Sequence, residues 1–329
     1  MDYIKLVGGL ILLVFSGDYL VKGAVSIASK LKISPLVIGM TIVAFGTSAP
    51  ELLVSLQAAI TGNPEIAIGN VVGSNIANIA LILGITAIVY PVSVIKNSIR
   101  FDWPVMMIAT LLFTWASSDG RITFIEGLIG FSLLVIYTGW QIWYSRKNHL
   151  PVDDTEEETY SVFISILMIL ASAVGLAFGA KFLIEGASNI ALSWGVSERI
   201  IGITIVAFGT SLPELAASVS AAMKKESDIA IGNIIGSNLF NILCVVGLTS
   251  IVKPITVDWS NFSFDYWIMI AFSVLLIILI LPIRRIFHKD PQEKVTSIGI
   301  FFSKGKIGRI GGIVLTLLYI GYIFLILEK

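Results

Sequence analysis

The chain has 329 residues, 56% of them hydrophobic and only 13% charged, with 22 basic and 22 acidic side chains. Soluble domains carry roughly 25% charged residues, so this composition excludes an ordinary soluble domain and points to a polytopic membrane protein. The zero formal net charge gives no reason to expect nucleic acid as a partner, and the single cysteine, Cys244, excludes an intrachain disulfide.

A spanning helix needs about 20 mostly apolar residues. Ten segments meet that measure. Those of the first half are 4–28, 35–60, 64–89, 101–117 and 122–144. Those of the second are 161–190, 198–222, 227–252, 264–282 and 308–327. The first segment carries Asp2 before its apolar run and lacks a small-residue cleavage site, so it reads as a membrane helix and not a removed leader. Residues 1–144 and 161–329 form two halves joined by 145–160, a charged stretch with Pro151 that reads as a cytoplasmic linker. Its acidic run, Asp153 to Glu158, is of the kind that keeps a loop solvated.

The octapeptide TIVAFGTS occurs twice, at Thr41–Ser48 and at Thr204–Ser211, an offset of 163. The same offset pairs Phe15 with Phe178, Gly23 with Gly186, Gly39 with Gly202, Gly69 with Gly232 and Gly73 with Gly236. Five helices is an odd number, so the second half must enter the membrane upside down. The expected fold is an all-α polytopic membrane protein of ten transmembrane helices in two inverted five-helix repeats. Placing the N-terminus outside puts 15 of the 22 basic residues in inner loops and five outside. The excess of inner lysine and arginine therefore sets both termini outside, and the basic loop 283–307 reads as an inner topology anchor.

Each octapeptide runs into a proline and a glutamate, Pro50-Glu51 and Pro213-Glu214. A carboxylate at membrane depth is costly and is a functional-site candidate by default. Pro50 has no N–H, so the Gly46 carbonyl loses its helical partner, and Gly46 adds backbone freedom. The second helix is therefore expected to break or kink at Gly46–Pro50. The carbonyls freed from Ala44 to Thr47 are tolerable only against a polar cavity or an ion. Thr47 and Ser48 precede Glu51 by four and three residues and share its face; Thr210, Ser211 and Glu214 repeat the set. Ser48-x-x-Glu51 also fits a capping box, which would start the new helix.

The next helix of each half adds Ser74 and Asn78, then Ser237 and Asn241, each pair four residues apart on one face. Gly69 and Gly73, and Gly232 and Gly236, make small-xxx-small faces for close backbone approach. Asn70, Asn75, Asn233 and Asn238 could bridge helices or meet an ion. All these candidate ligands are oxygens, which suits hard cations such as calcium and sodium and argues against zinc or copper. Two glutamates balance one calcium ion or about two sodium ions. Asp18 with Lys22, and Lys181 with Glu185, read as intrahelical ion pairs.

GTSAPE and GTSLPE, followed by GNVVGSN and GNIIGSN, resemble the two alpha-repeats of the sodium/calcium exchanger family, within the wider cation/calcium antiporters. The resemblance covers nearly the whole chain and is closest to the compact prokaryotic type. It implies that discontinuous helices 2, 3, 7 and 8 form the ion-binding core while long helices 1 and 6 slide across it. It places the essential acids on Glu51 and Glu214, and other ligands on Thr47, Ser48, Thr210, Ser211, Ser74, Asn78, Ser237 and Asn241. The backbone oxygens of Ala44 and Ala207 complete the set. Asn241 stands where several members, the potassium-dependent branch and some prokaryotic exchangers among them, carry aspartate, and GTS stands where proton-coupled members typically carry GN. Both departures favour an exchanger that uses neither potassium nor protons.

The expected function is secondary active antiport of sodium for calcium across a prokaryotic inner membrane, electrogenic as the resemblance implies. A monomer suffices, with the two ions and membrane lipid as partners and no cofactor. The alternatives are a calcium/proton or potassium-dependent exchanger, or a cation channel with a two-glutamate filter. An enzyme is not expected: His149 and His288, the only histidines, lie in loops, so no base activates Ser48 or Ser211.

Overall fold

The computed structural model describes residues 1–147, 160–196, 207–280 and 305–327. The linker core 148–159, the start of the second octapeptide and most of the loop 283–307 lie outside the described residues. The chain folds as α1 (Asp2–Leu31), α2 (Pro35–Thr61), α3 (Pro64–Val89), α4 (Trp103–Ser117) and α5 (Phe124–Lys147). There follow α6 (Val162–Ser193), α7 (Leu212–Met223), α8 (Ser227–Val252), α9 (Trp259–Ile280) and α10 (Arg309–Leu327). Eight of these, all but α4 and α7, are long and apolar enough to cross a membrane. Helix α5 runs through Lys147, so the first residues assigned to the linker are helical.

Burial sorts the helices. Helices α3 and α8 are almost wholly buried, whereas α1, α5, α6 and α10 leave most of their apolar surface exposed, as lipid-facing helices do. Helix α1 lies along α6 with backbones close enough that glycine is required. A Cβ on Gly9 would meet Gly179 O at 2.7 Å, one on Gly186 would meet Asp2 O at 2.6 Å, and one on Gly23 would meet Ser165 O at 3.0 Å. Contacts therefore run from low to high numbers on α1 and from high to low on α6: the pair is antiparallel. Glycines permit such close backbone approach where no hydrophobic force drives helices together. Ion pairs join the same elements. Lys5 reaches Glu185 at 2.8 Å, and Asp18 holds both Lys22 at 2.9 Å and Lys224, at the end of α7, at 2.7 Å. Lys181 and Glu185 stand 4.0 Å apart.

Two small antiparallel ribbons, which composition and periodicity did not announce, depart from a purely helical fold. Val92–Val94 (β1) pairs with Gly305–Ile307 (β4), and Arg121–Ile122 (β2) with Ile255–Thr256 (β3). Each ribbon joins a segment of the first half to one of the second.

The expected break at Gly46–Pro50 is absent. Pro50 lies inside the continuous helix Ala44–Thr61. The irregularity falls one turn earlier, as a π-helical segment at Gly39–Val43. Membrane helices tolerate an internal proline where hydroxyl side chains and local π adjustments re-satisfy the backbone. Helices α3 and α8 are also continuous, with π segments at Asn78–Ile82 and Phe240–Val245. Among the described residues only the second copy opens: Ala207–Gly209 is helical, Thr210 and Ser211 form a turn, and α7 starts anew at Leu212 with Pro213 in its first turn. Proline suits that position because the first turn has no partner for its missing N–H.

Candidate functional site

The site lies where α2 and α7 meet α3 and α8. Helix α2 approaches α8 through glycines: a Cβ on Gly39 would meet Ile229 O at 2.7 Å, one on Gly232 Leu36 O at 2.6 Å, and one on Gly236 Met40 Cα at 2.6 Å. From Leu36 against Gly232, through Met40 against Gly236, to Thr47 beside Ser237, residue numbers rise together, so the helices run parallel. The expected mirror-image use of Gly69 and Gly73 is not seen. Gly69 faces only the Phe262 ring at 3.5 Å, and Gly73 has nothing within 4 Å among the described residues.

This packing buries both acids: Glu51 is 0% and Glu214 1% exposed. Ser48 Oγ on α2 donates to Glu214 Oε1 on α7 at 2.9 Å. Ser48 is thus not a helix cap; it lies within a helix and its hydroxyl crosses to the other half. Thr47 Oγ1 donates to Asn233 Oδ1 at 3.2 Å, stands 3.4 Å from Ser237 Oγ, and reaches the Ala44 carbonyl at 3.3 Å. The two carboxylates are within electrostatic reach of each other, and neither forms an ion pair with a described cation.

Asparagines fix the glutamate backbones. Asn70 Nδ2 donates to Glu51 O at 3.1 Å and to Ser55 Oγ at 2.9 Å. Asn233 Nδ2 does the same for Glu214 O at 3.4 Å and Ser218 Oγ at 2.9 Å. Every member of one clamp is offset by 163 from its counterpart in the other. The sequence offered these asparagines as helix bridges or ligands, and the geometry selects the bridge. Because residues one shell out from a bound ion typically carry a 10–100-fold effect, Asn70→Ala and Asn233→Ala should each weaken binding of any cation held by Glu51 and Glu214 about tenfold in an equilibrium titration. N233A should be the more damaging, since Asn233 also holds Thr47.

Several buried oxygens at this junction have no hydrogen-bond partner: Glu51 Oε1 and Oε2, Glu214 Oε2, Asn78 Oδ1, Asn241 Oδ1 and Ser211 Oγ. Buried polar atoms are almost always satisfied, so such a concentration calls for a ligand. A cation fits this donor set because it needs acceptor oxygens only. Asn78 opens the π segment of α3, and Asn241 lies in the corresponding segment of α8. Such π segments often mark functional sites. Ser74 and Ser237 are buried, and Thr210 is half-buried at the turn before α7. Ala207 belongs to the short helical turn before it; its side chain lies outside the described residues. No hydrogen bond joins Ser74, Thr210 or Ala207 to the other candidates among the described residues. Nor does any group of three or more His, Cys, Asp or Glu side chains gather among them, so the charge at the site is that of two carboxylates.

Apolar helices of bilayer length wrapped around a buried pair of acids define a multi-pass membrane transport protein. A model of the sodium/calcium exchanger protein family matches residues 2–143 and 164–328, and the chain belongs to that family. It is 33% identical to the sodium/calcium exchanger MaX1 of Methanosarcina acetivorans, over 85% of this chain and 91% of that protein. It is 34% identical to the inner membrane protein YrbG of Escherichia coli, over 83% and 87%. Its fold matches the sodium-calcium exchanger NCX_Mj soaked with sodium and calcium at a TM-score of 0.78 and 32% identity, covering 98% of this chain and 97% of that one.

Proposed function

We propose that the chain is a secondary active antiporter exchanging sodium for calcium by alternating access, with Glu51 and Glu214 sharing the central calcium. The observation that carries this reading is the meeting of two buried, uncompensated carboxylates from the two copies of one motif, linked through Ser48, amid unpartnered oxygens. Thr47, Ser48, Thr210, Ser211, Ser74, Asn78, Ser237, Asn241 and the carbonyls of Ala44 and Ala207 supply the neutral ligands. Ten transmembrane helices in inverted halves, 1–144 and 161–329, with both termini outside a prokaryotic inner membrane, complete the proposal. The antiparallel course of α1 and α6, the first helices of the two halves, supports the inversion.

The chemistry follows from charge. Two carboxylates accept one divalent cation or about two monovalent ones, and further sodium must rest on neutral dipoles. Both ions cannot use one pair of acids together, so binding is mutually exclusive. Full burial of both acids closes the site to bulk water on either side in this conformation. Access to one face at a time then converts exclusion into exchange. Two acids without a third, and an amide at Asn241, support independence from potassium.

Reconstituted protein should take up radiolabelled calcium when an outward sodium gradient is imposed, and potassium or proton gradients alone should drive no uptake. Uptake driven equally by potassium or protons would move the chain to another branch of the superfamily. Uptake without any counter-ion would make it a channel.

A further inference from the structure

Among the repeat-related polar residues of the site, the hydrogen bonds that join the two halves use only one of the two senses that the repeat allows. The offset of 163 relates Thr47, Ser48 and Asn78 to Thr210, Ser211 and Asn241, and Glu51, Asn70 and Asn75 to Glu214, Asn233 and Asn238. Three bonds run from the first half to the second. Ser48 Oγ donates to Glu214 Oε1 at 2.9 Å, Thr47 Oγ1 to Asn233 Oδ1 at 3.2 Å, and Asn78 Nδ2 to Asn238 Oδ1 at 3.2 Å. None of the three mirror bonds forms. Ser211 Oγ and both Glu51 oxygens are unpartnered, as are Asn75 Oδ1 and both amide atoms of Asn241; Thr210 makes no bond to Asn70. The backbone shares the asymmetry: the first copy is helical through Ser48, while the second opens at Thr210–Ser211.

A bound cation accounts for the unpartnered oxygens of Glu51, Ser211 and Asn241 but not for Asn241 Nδ2, whose N–H groups repel it. This donor is fully buried, and leaving a buried donor unsatisfied is costly. Its image, Asn78 Nδ2, is satisfied by Asn238 Oδ1. The acceptor that Asn241 lacks is therefore Asn75 Oδ1, itself buried and unpartnered. Neither atom of this pair needs a change of identity to bond, since both sides of the Asn241 amide are free.

We propose that Asn75 and Asn238 are positioning residues of a two-state switch. The Asn78–Asn238 bond biases the closed conformation seen here toward opening to one side, and an Asn241–Asn75 bond replaces it when the site opens to the other. Neither asparagine ligates the ion. The proposal rests on the alternating-access reading and deepens it: one bond is exchanged for its image, so the two states stay close in energy and a modest difference in ion affinity can shift between them.

The test uses the apparent calcium KM at each face, measured in right-side-out and inside-out vesicles. Asn238→Ala removes the bond of one state and Asn75→Ala that of the other. Each should depopulate its state about fivefold, the weight of one buried hydrogen bond, and weaken the apparent affinity at the face that state exposes by the same factor. The ratio of the two KM values should move in opposite directions in the two variants and return near the wild-type ratio in N75A/N238A. A merely structural role would lower the maximal rate in both and leave the ratio unmoved. Asn75→Ser and Asn238→Ser serve the same comparison if the alanine chains do not fold. Shifts in the same direction, or below twofold in both, overturn the switch while wild-type exchange stands; absence of sodium-driven exchange in the wild type overturns both readings.

Discussion

Proteoliposomes carrying Glu51→Gln/Glu214→Gln should take up no calcium above the empty-liposome level under a sodium gradient, while the variant protein remains folded. Each substitution keeps the shape of the side chain and deletes one charge. Losing one partner of a buried charge pair costs about 3–5 kcal/mol, or two to four powers of ten in affinity per site. Either single variant should therefore need at least a hundredfold more calcium, and the pair should not bind it. Stability should move the opposite way. Both acids lack a described cationic partner and both are fully buried, so without cations they are uncompensated charges that glutamine removes. In calcium-free buffer the double variant should melt no lower than the wild type. Saturating calcium should raise the melting temperature of the wild type alone, because a ligand at 100 times its Kd adds about 2.7 kcal/mol. Thermal melts with and without calcium, beside flux, check both halves of this expectation.

Gly236→Val should abolish exchange by a different route. A Cβ at Gly236 would lie 2.6 Å from Met40 Cα, 2.7 Å from Met40 O and 2.8 Å from Ala44 Cβ. Two of those neighbours are backbone and cannot rotate away, so α2 must retreat from α8. Overpacking of this kind costs about 1–3 kcal/mol or more. Retreat also separates Thr47 from Ser237, which now stand 3.4 Å apart, and displaces the Ala44 carbonyl. Calcium binding should fall below detection and the melting temperature should drop. Gly321→Val is the matched control. Gly321 is also helical but has nothing within 4 Å among the described residues, so it should retain wild-type flux and melting.

Much of this site was legible before any coordinates. A carboxylate recurring with identical neighbours inside apolar sequence is not explained by packing, and that singled out Glu51 and Glu214 as candidates. Helical spacing put Thr47 and Ser48 on the face of Glu51, and Ser74 and Asn78 on one face of the next helix. What escaped was conformation that local sequence does not encode. TIVAFGTS occurs twice, yet Thr47-Ser48 is helical and Thr210-Ser211 is a turn; identical letters cannot specify that difference, so the surrounding helices must. The proline rule placed a break at Gly46–Pro50, whereas the helix runs unbroken through Pro50 and its π segment lies earlier, at Gly39–Val43. The glycine pairs looked equivalent, but only Gly232 and Gly236 abut a described backbone. The strands are two or three residues long, too short for a period-2 pattern to register. Asn70 and Asn233 carried too little signal to be told apart from ligands until their Nδ2 atoms were seen on the glutamate carbonyls.

The most direct measurement is equilibrium binding of radiolabelled calcium to the purified chain in lipid nanodiscs, titrated with sodium. One calcium ion per chain should bind, sodium should displace it completely, and Glu51→Gln or Glu214→Gln alone should remove it at the same calcium concentration. Calcium that stays bound in either variant, or that sodium cannot displace, would contradict a single shared pocket between the two acids.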